Sequence, residues 1–149
     1  MVELLAARTQ AGEAIAQRLI TAQALYAPYV LDGEVISALL GLRRGKKITG
    51  READAALSNY RAFPIERHDV HPLWPRIKSL HVSLSAYDAQ YVALAEALGV
   101  CLVTADARIG RSGAARCEMK SSARIPDRAP RSGPSAHFWI LGPPGSACR

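Results

Sequence analysis

Hydrophobic residues recur at helical spacing through much of the chain, and short continuous apolar runs separate these stretches. The helical pattern covers residues 9–23, 28–42, 49–62, 71–80 and 85–98. Residues 25–27, 63–67 and 100–104 are short and apolar, and the last run does not alternate with polar residues, which is typical of a strand buried on both faces. Helices that alternate with short strands predict a three-layer α/β/α domain with a mainly parallel sheet.

The pattern ends near Met119. Residues 120–149 are rich in Pro, Ser and Arg, and only residues 137–141, with the sequence HFWIL, are apolar enough to be buried. Residues 1–119 hold 14 Lys and Arg against 12 Asp and Glu, whereas residues 120–149 hold 5 against 1. We therefore expect one domain over residues 1–119, followed by a disordered basic tail over residues 120–149.

Composition adds a few exclusions. A chain of 149 residues with 49% hydrophobic residues has the size of one soluble domain. It has no apolar run near the ~18 residues of a membrane span, and its N-terminus lacks the pattern of a secretory signal. Its three cysteines show no paired spacing, which argues against a disulfide framework or a zinc site. These features favour a cytoplasmic protein. The net charge of +6 lies mostly in the tail, so this charge is weak support for a nucleic-acid groove in the domain.

Two aspartates are predicted to meet at one edge of the sheet. Asp88 lies in the first turn of the helix at 85–98, and Asp106 lies two residues beyond the strand at 100–104. A helix of roughly 20 Å followed by a strand of roughly 17 Å returns the chain to the edge from which the helix started. Both acids therefore belong to the carboxyl edge of the sheet, where open α/β folds bind their ligands.

Glu34 is a third candidate, because it falls within the apolar stripe of the helix at 28–42. A buried carboxylate requires a cation, hydrogen bonds or a raised pKa. Carboxylates that converge favour a hard cation such as Mg²⁺ or Mn²⁺. Each acid also has a structural explanation: Asp88 completes a capping-box pattern with Ser85, Asp106 caps the segment after its strand, and Glu34 pairs with an arginine.

Four segments resemble the PIN-domain toxins of the VapC type: DGEVISALL at 32–40, PLWPRIKSL at 72–80, SAYDAQYVALAEALG at 85–99 and LVTADARI at 102–109. Their order and spacing match from about residue 2 to about residue 118. The resemblance implies a PIN-like domain that acts as a single-stranded RNA endonuclease with an acidic Mg²⁺ site, in which Glu34, Asp88 and Asp106 match three of the family's acidic positions. It also implies a homodimer and a VapB-type antitoxin whose C-terminal segment covers the site.

Both ends of the chain depart from the family pattern. The family opens with a hydrophobic strand that ends in an aspartate, and residues 1–5 resemble the segment that directly follows it, so this strand and its aspartate are absent here. At the other end, residues 115–119 begin like the last strand of the family, and the tail that follows is unlike it. The favoured hypothesis is a Mg²⁺-dependent endoribonuclease toxin. The alternative is a catalytically inactive PIN remnant that only binds an antitoxin or its own copy, and a third hypothesis is a metal-dependent phosphatase or DNA nuclease that uses the same acids.

Overall fold

The computed structural model describes residues 24–104, 107–121 and 138–141. In chain order they form β1 (Leu25–Pro28), α1 (Val30–Arg44), α2 (Gly50–Ala62), β2 (Ile65–His68), a 3₁₀ turn (His71–Leu73), α3 (Trp74–Leu80), α4 (Ala86–Leu98), β3 (Cys101–Thr104), α5 (Ala107–Ser112), β4 (Met119–Ser121) and β5 (Phe138–Leu141). The helix predicted over residues 9–23 lies outside the described residues. In the described part of the chain, no helix is long and apolar enough to span a membrane.

The strands form one sheet in the order β2-β1-β5-β3-β4. β1 pairs in parallel with β2, and β3 pairs in parallel with β4. β5 runs antiparallel to both β1 and β3, so these two strands point in the same direction although they are not neighbours. All the described strands except β5 therefore share one direction, which confirms the predicted α/β class with a mainly parallel sheet.

The centre of the sheet differs from the sequence prediction. Residues 138–141 belong to the stretch expected to be disordered, yet they form β5 between β1 and β3. Ile140 in this strand pairs with Tyr26 on one side and Leu102 on the other, and its side chain is completely buried. The physical reason is that this segment is the apolar run of an otherwise polar tail, and a position in the sheet removes the side chain of Ile140 from water. The rest of the tail beyond Ser121 lies outside the described residues.

Local signals at both ends define α4, the helix that carries Asp88. Ser85 is its N-cap, and the Oγ of Ser85 accepts a hydrogen bond of 3.1 Å from the backbone N–H of Asp88. Gly99 ends the helix with φ of 63°, a left-handed conformation that glycine adopts at little cost. The predicted helix between Ser85 and Gly99 is confirmed. α4 contacts β1, β3 and β5, so it packs across the centre of the sheet.

Two further features differ from the sequence prediction. The helix predicted over residues 71–80 is a 3₁₀ turn followed by α3, which begins at Trp74 with Pro75 in its first turn. A proline ring inside one continuous helix would remove a backbone N–H and collide with the preceding turn, whereas the first turn tolerates it. Cys101 in β3 is disulfide-bonded and Cys117 is free, although the cysteine spacing argued against disulfides.

Candidate metal centre

Glu34 lies on the buried face of α1. The helix begins at Val30, directly after β1, so its first turns lie at the carboxyl edge of the sheet. Leu31, Val35 and Leu39 share the buried face of α1, and Glu34 is only 2% exposed. The prediction that Glu34 falls within the apolar stripe of its helix is confirmed.

The two carboxylate oxygens of Glu34 have different surroundings. Oε2 accepts a hydrogen bond of 2.6 Å from the hydroxyl of Tyr91 on α4. Oε1 is also buried, but it has no hydrogen-bond partner among the described residues. A buried acceptor without a partner costs roughly 1–3 kcal/mol. A ligand that bound Oε1 would therefore be stabilised at this position.

Asp88 is the second buried acid at this edge, in the first turn of α4. Asp88 interacts electrostatically with Glu34, whose pKa is raised from 4.5 to about 7. Burial of Glu34 is the main cause, and the negative charge of Asp88 acts in the same direction, against the opposing effect of the Tyr91 hydrogen bond. Both burial and the charge of Asp88 favour the protonated form of Glu34, and a bound cation would act against both effects. The structure therefore brings together two of the three acids predicted from the sequence.

Asp106 falls within the gap at residues 105–106, so its predicted place in the site stays a prediction. Thr104 is the last residue of β3 and is buried. Because β3 runs in the same direction as β1, the chain leaves Thr104 at the edge where α1 begins. The described residues include no group of three or more His, Cys, Asp or Glu placed to hold a metal ion.

Asp32 is a further acid on α1, and no pattern in the sequence marks it as a candidate. Its carboxylate accepts hydrogen bonds from the hydroxyl of Tyr60 on α2 and from Nη2 of Arg67 on β2, the latter at 3.0 Å. Burial alone would raise the pKa of Asp32, but the hydrogen bonds from Arg67 and Tyr60 outweigh it and hold the pKa below its usual 3.8. The guanidinium carbon of Arg67 also lies 5.4 Å from the centre of the Tyr60 ring. The charge of Asp32 is therefore compensated within the chain.

The arginine pairing that would explain a buried Glu34 is thus found at Asp32 instead. No local sequence pattern predicts this pairing, because the partners of Asp32 lie 28 and 35 residues away in the sequence. Glu34 accepts its hydrogen bond from the neutral hydroxyl of Tyr91, and the like charge of Asp88 raises its pKa. This arrangement fits a small divalent cation, since carboxylate oxygens are the ligands that Mg²⁺ and Mn²⁺ prefer and Oε1 lacks a protein partner in the described part of the chain.

The fold and this site define a mainly parallel α/β protein with buried carboxylates at the carboxyl edge of its sheet. Residues 1–114 match the family described as PIN domain. The chain is 41% identical to Ribonuclease VapC9 of Mycobacterium tuberculosis over 104 residues, which are 70% of this chain and 82% of that protein. It is 38% identical to Ribonuclease VapC3 of the same organism over 112 residues, or 75% of this chain and 81% of the relative. The chain therefore belongs to the PIN-domain family and, within it, to the VapC proteins.

Proposed function

We propose that this chain is the toxin of a VapBC-type toxin–antitoxin system and cleaves single-stranded or structured RNA internally, with Mg²⁺ or Mn²⁺ held by Glu34, Asp88 and Asp106. The observation that carries the proposal is the buried oxygen Oε1 of Glu34, which lacks a hydrogen-bond partner among the described residues, in a carboxyl group whose pKa is raised by burial and by the charge of Asp88. The relatives' names, which describe ribonucleases, support the reaction.

Each acid reaches the proposed site from a different element. Glu34 presents Oε1 from α1, Asp88 presents its carboxylate from the first turn of α4, and Asp106 follows the end of β3. When bound, the divalent cation supplies positive charge to the scissile phosphate and lowers the pKa of the attacking water. The apolar neighbours of Glu34 on α1 keep bulk water away from Oε1, which strengthens electrostatic interactions there.

Glu34 has one more role that follows from its pKa. A carboxyl group with a pKa of about 7 is partly protonated at neutral pH, so it releases a proton when a cation binds. Cation binding by the proposed site should therefore tighten as the pH rises through this value.

The proposed partners are an RNA substrate, a cognate VapB-type antitoxin and a second copy of the chain, all in the cytoplasm. Tyr29, Ile36 and Leu40 support a protein contact, because these large apolar side chains of α1 and its N-cap are exposed.

Cleavage of a labelled single-stranded RNA by the purified chain tests the proposal. We expect cleavage with Mg²⁺ or Mn²⁺ and none with EDTA. Glu34→Gln, Asp88→Asn and Asp106→Asn should each lower the rate by at least roughly 100-fold, since even outer-shell partners of a metal contribute 10–100-fold. Asp54→Asn is the matched control, because Asp54 is an exposed carboxylate on α2.

The outcomes separate the competing hypotheses. Full activity in Glu34→Gln or Asp88→Asn would show that the site is assigned wrongly. A folded chain that binds its antitoxin but cleaves no RNA would be the inactive remnant. Parallel assays with single-stranded DNA and with a phosphate monoester would identify a DNA nuclease or a phosphatase that uses the same acids.

A further inference from the structure

Tyr91 connects the two acids of the proposed site. Its side chain is completely buried, and its hydroxyl donates a hydrogen bond of 2.6 Å to Oε2 of Glu34, a residue 57 positions away in the sequence. Tyr91 follows Asp88 by three residues, so both lie on the same face of α4. One face of α4 therefore supplies an acid of the site and also the donor that holds the other acid.

The hydroxyl of Tyr91 determines which oxygen of Glu34 is available. Oε2 is occupied by the hydrogen bond, whereas Oε1 has no partner in the described part of the chain. A free glutamate side chain rotates about several bonds, and the entropy lost when these bonds are fixed weakens the binding of a cation. A hydrogen bond that fixes the carboxylate in advance removes part of that cost.

We propose that Tyr91 is a positioning residue, which holds Oε2 of Glu34 so that Oε1 is directed at the divalent cation. The inference rests on the proposed function, because it requires a cation at Glu34. It assigns to Tyr91 a contribution to cation affinity in addition to its packing in the core. Outer-shell partners of this kind typically contribute 10–100-fold in metal affinity.

The chain offers a matched control for this role. Tyr60 is likewise buried and likewise donates its hydroxyl to a carboxylate of α1, that of Asp32. The carboxylate of Asp32 is also paired with Arg67, so it has no need of a cation. Tyr91→Phe and Tyr60→Phe each remove one hydroxyl group, and only the first removes it from the proposed site.

Binding of Mn²⁺ to the purified full-length chain, measured by electron paramagnetic resonance, tests the inference. We expect the dissociation constant to rise roughly 10–100-fold in Tyr91→Phe and to stay at the wild-type value in Tyr60→Phe. In a Glu34→Gln background, Tyr91→Phe should cause no further loss, because the group that it positions is already changed. A second readout is RNA cleavage, which high Mn²⁺ concentrations should restore in Tyr91→Phe. Urea unfolding in EDTA checks that each variant is folded.

Each contrary result has a distinct meaning. Wild-type affinity in Tyr91→Phe would overturn the positioning role and leave the proposed function standing if Glu34→Gln still weakened binding. An equal loss in both tyrosine variants would also overturn it, because the effect would then follow from general destabilisation. A Tyr91→Phe chain that is unfolded in EDTA would assign Tyr91 a structural role instead. A wild-type chain that binds no Mn²⁺ would overturn both the inference and the proposed function.

Discussion

Replacement of Ile140 by alanine tests the most unexpected element of the fold, the central strand β5. Ile140 is 0% exposed and lies between Tyr26 of β1 and Leu102 of β3 in the sheet. In the order of the described strands, β5 stands between the β2-β1 pair and the β3-β4 pair. A cavity at Ile140 should therefore weaken packing on both sides of the sheet's centre.

The magnitude follows from the lost side chain. Alanine lacks three of the carbon atoms of isoleucine, and at about 0.8 kcal/mol for each buried carbon the transfer free energy alone is roughly 2.4 kcal/mol. The cavity adds to this, and buried isoleucine-to-alanine changes typically cost about 2–5 kcal/mol. The control is Ile36→Ala on α1, where the isoleucine is 46% exposed and the expected change is within about 0.5 kcal/mol.

Urea unfolding followed by circular dichroism measures both variants. We expect Ile140→Ala to lower the midpoint by the amount that corresponds to about 2–5 kcal/mol, with an unchanged slope, and Ile36→Ala to leave the midpoint nearly unchanged. If Ile140→Ala had as small an effect as Ile36→Ala, the tail would not be part of the folded sheet. The original prediction of a disordered tail would then hold for residues 138–141 as well.

Two further predictions concern ionisable groups and are measured by urea unfolding in EDTA. The free energy of unfolding should fall as the pH rises from about 5 to 8. The reason is that the pKa of Glu34 is about 7 in the folded chain against 4.5 in the unfolded chain, so the folded chain keeps a proton that the unfolded chain releases. Glu34→Gln should flatten this dependence on pH, and an unchanged slope would contradict the assignment of the raised pKa to Glu34. Glu96→Gln should destabilise the chain by roughly 1–3 kcal/mol, because the mostly buried carboxylate of Glu96 accepts hydrogen bonds from the guanidinium of Arg76 (2.7 and 2.9 Å) and from the backbone N–H of Arg116 (2.7 Å). Glu118→Gln, at an exposed residue, is its control, and equal effects in the two variants would contradict the role of the ion pair.

Local chemistry explains what the sequence predicted correctly. Ser85 and Gly99 define α4 because an N-cap acceptor and a left-handed glycine act within one helical turn. Glu34 was placed inside because the helical period alone decides which residues share a face. The influence of Asp88 on the pKa of Glu34 agrees with chain geometry, since a helix that precedes a parallel strand begins at the carboxyl edge of that strand, whereas the shared site of the three acids stays a prediction.

The features that the sequence did not reveal depend on contacts between distant segments. Four apolar residues in a polar tail are too few to show a helical or strand period, and their sequence does not indicate that they pair with β1 and β3. The pairing of Asp32 with Arg67 joins residues 35 positions apart, and no spacing rule connects a helix to a strand over that distance. The hydrogen bond from Tyr91 to Glu34 was likewise not predictable, because the sequence pattern around Tyr91 is equally consistent with a tyrosine that only packs in the core.

The contrast between Asp32 and Glu34 argues most directly for a functional site. Both acids belong to α1, two residues apart, and both are removed from water to some degree. Asp32 is neutralised by Arg67, and its pKa is lowered. Glu34 is the more deeply buried, yet its hydrogen-bond partner is a neutral hydroxyl, Asp88 adds a like charge, and its pKa is raised. Positions that break the rules of stable folding without an internal compensation are expected at functional sites. Arg67 pairs with the partly exposed Asp32, whereas the more deeply buried Glu34 has no such cationic side chain against it among the described residues, and this difference supports the proposal that Glu34 binds a cation.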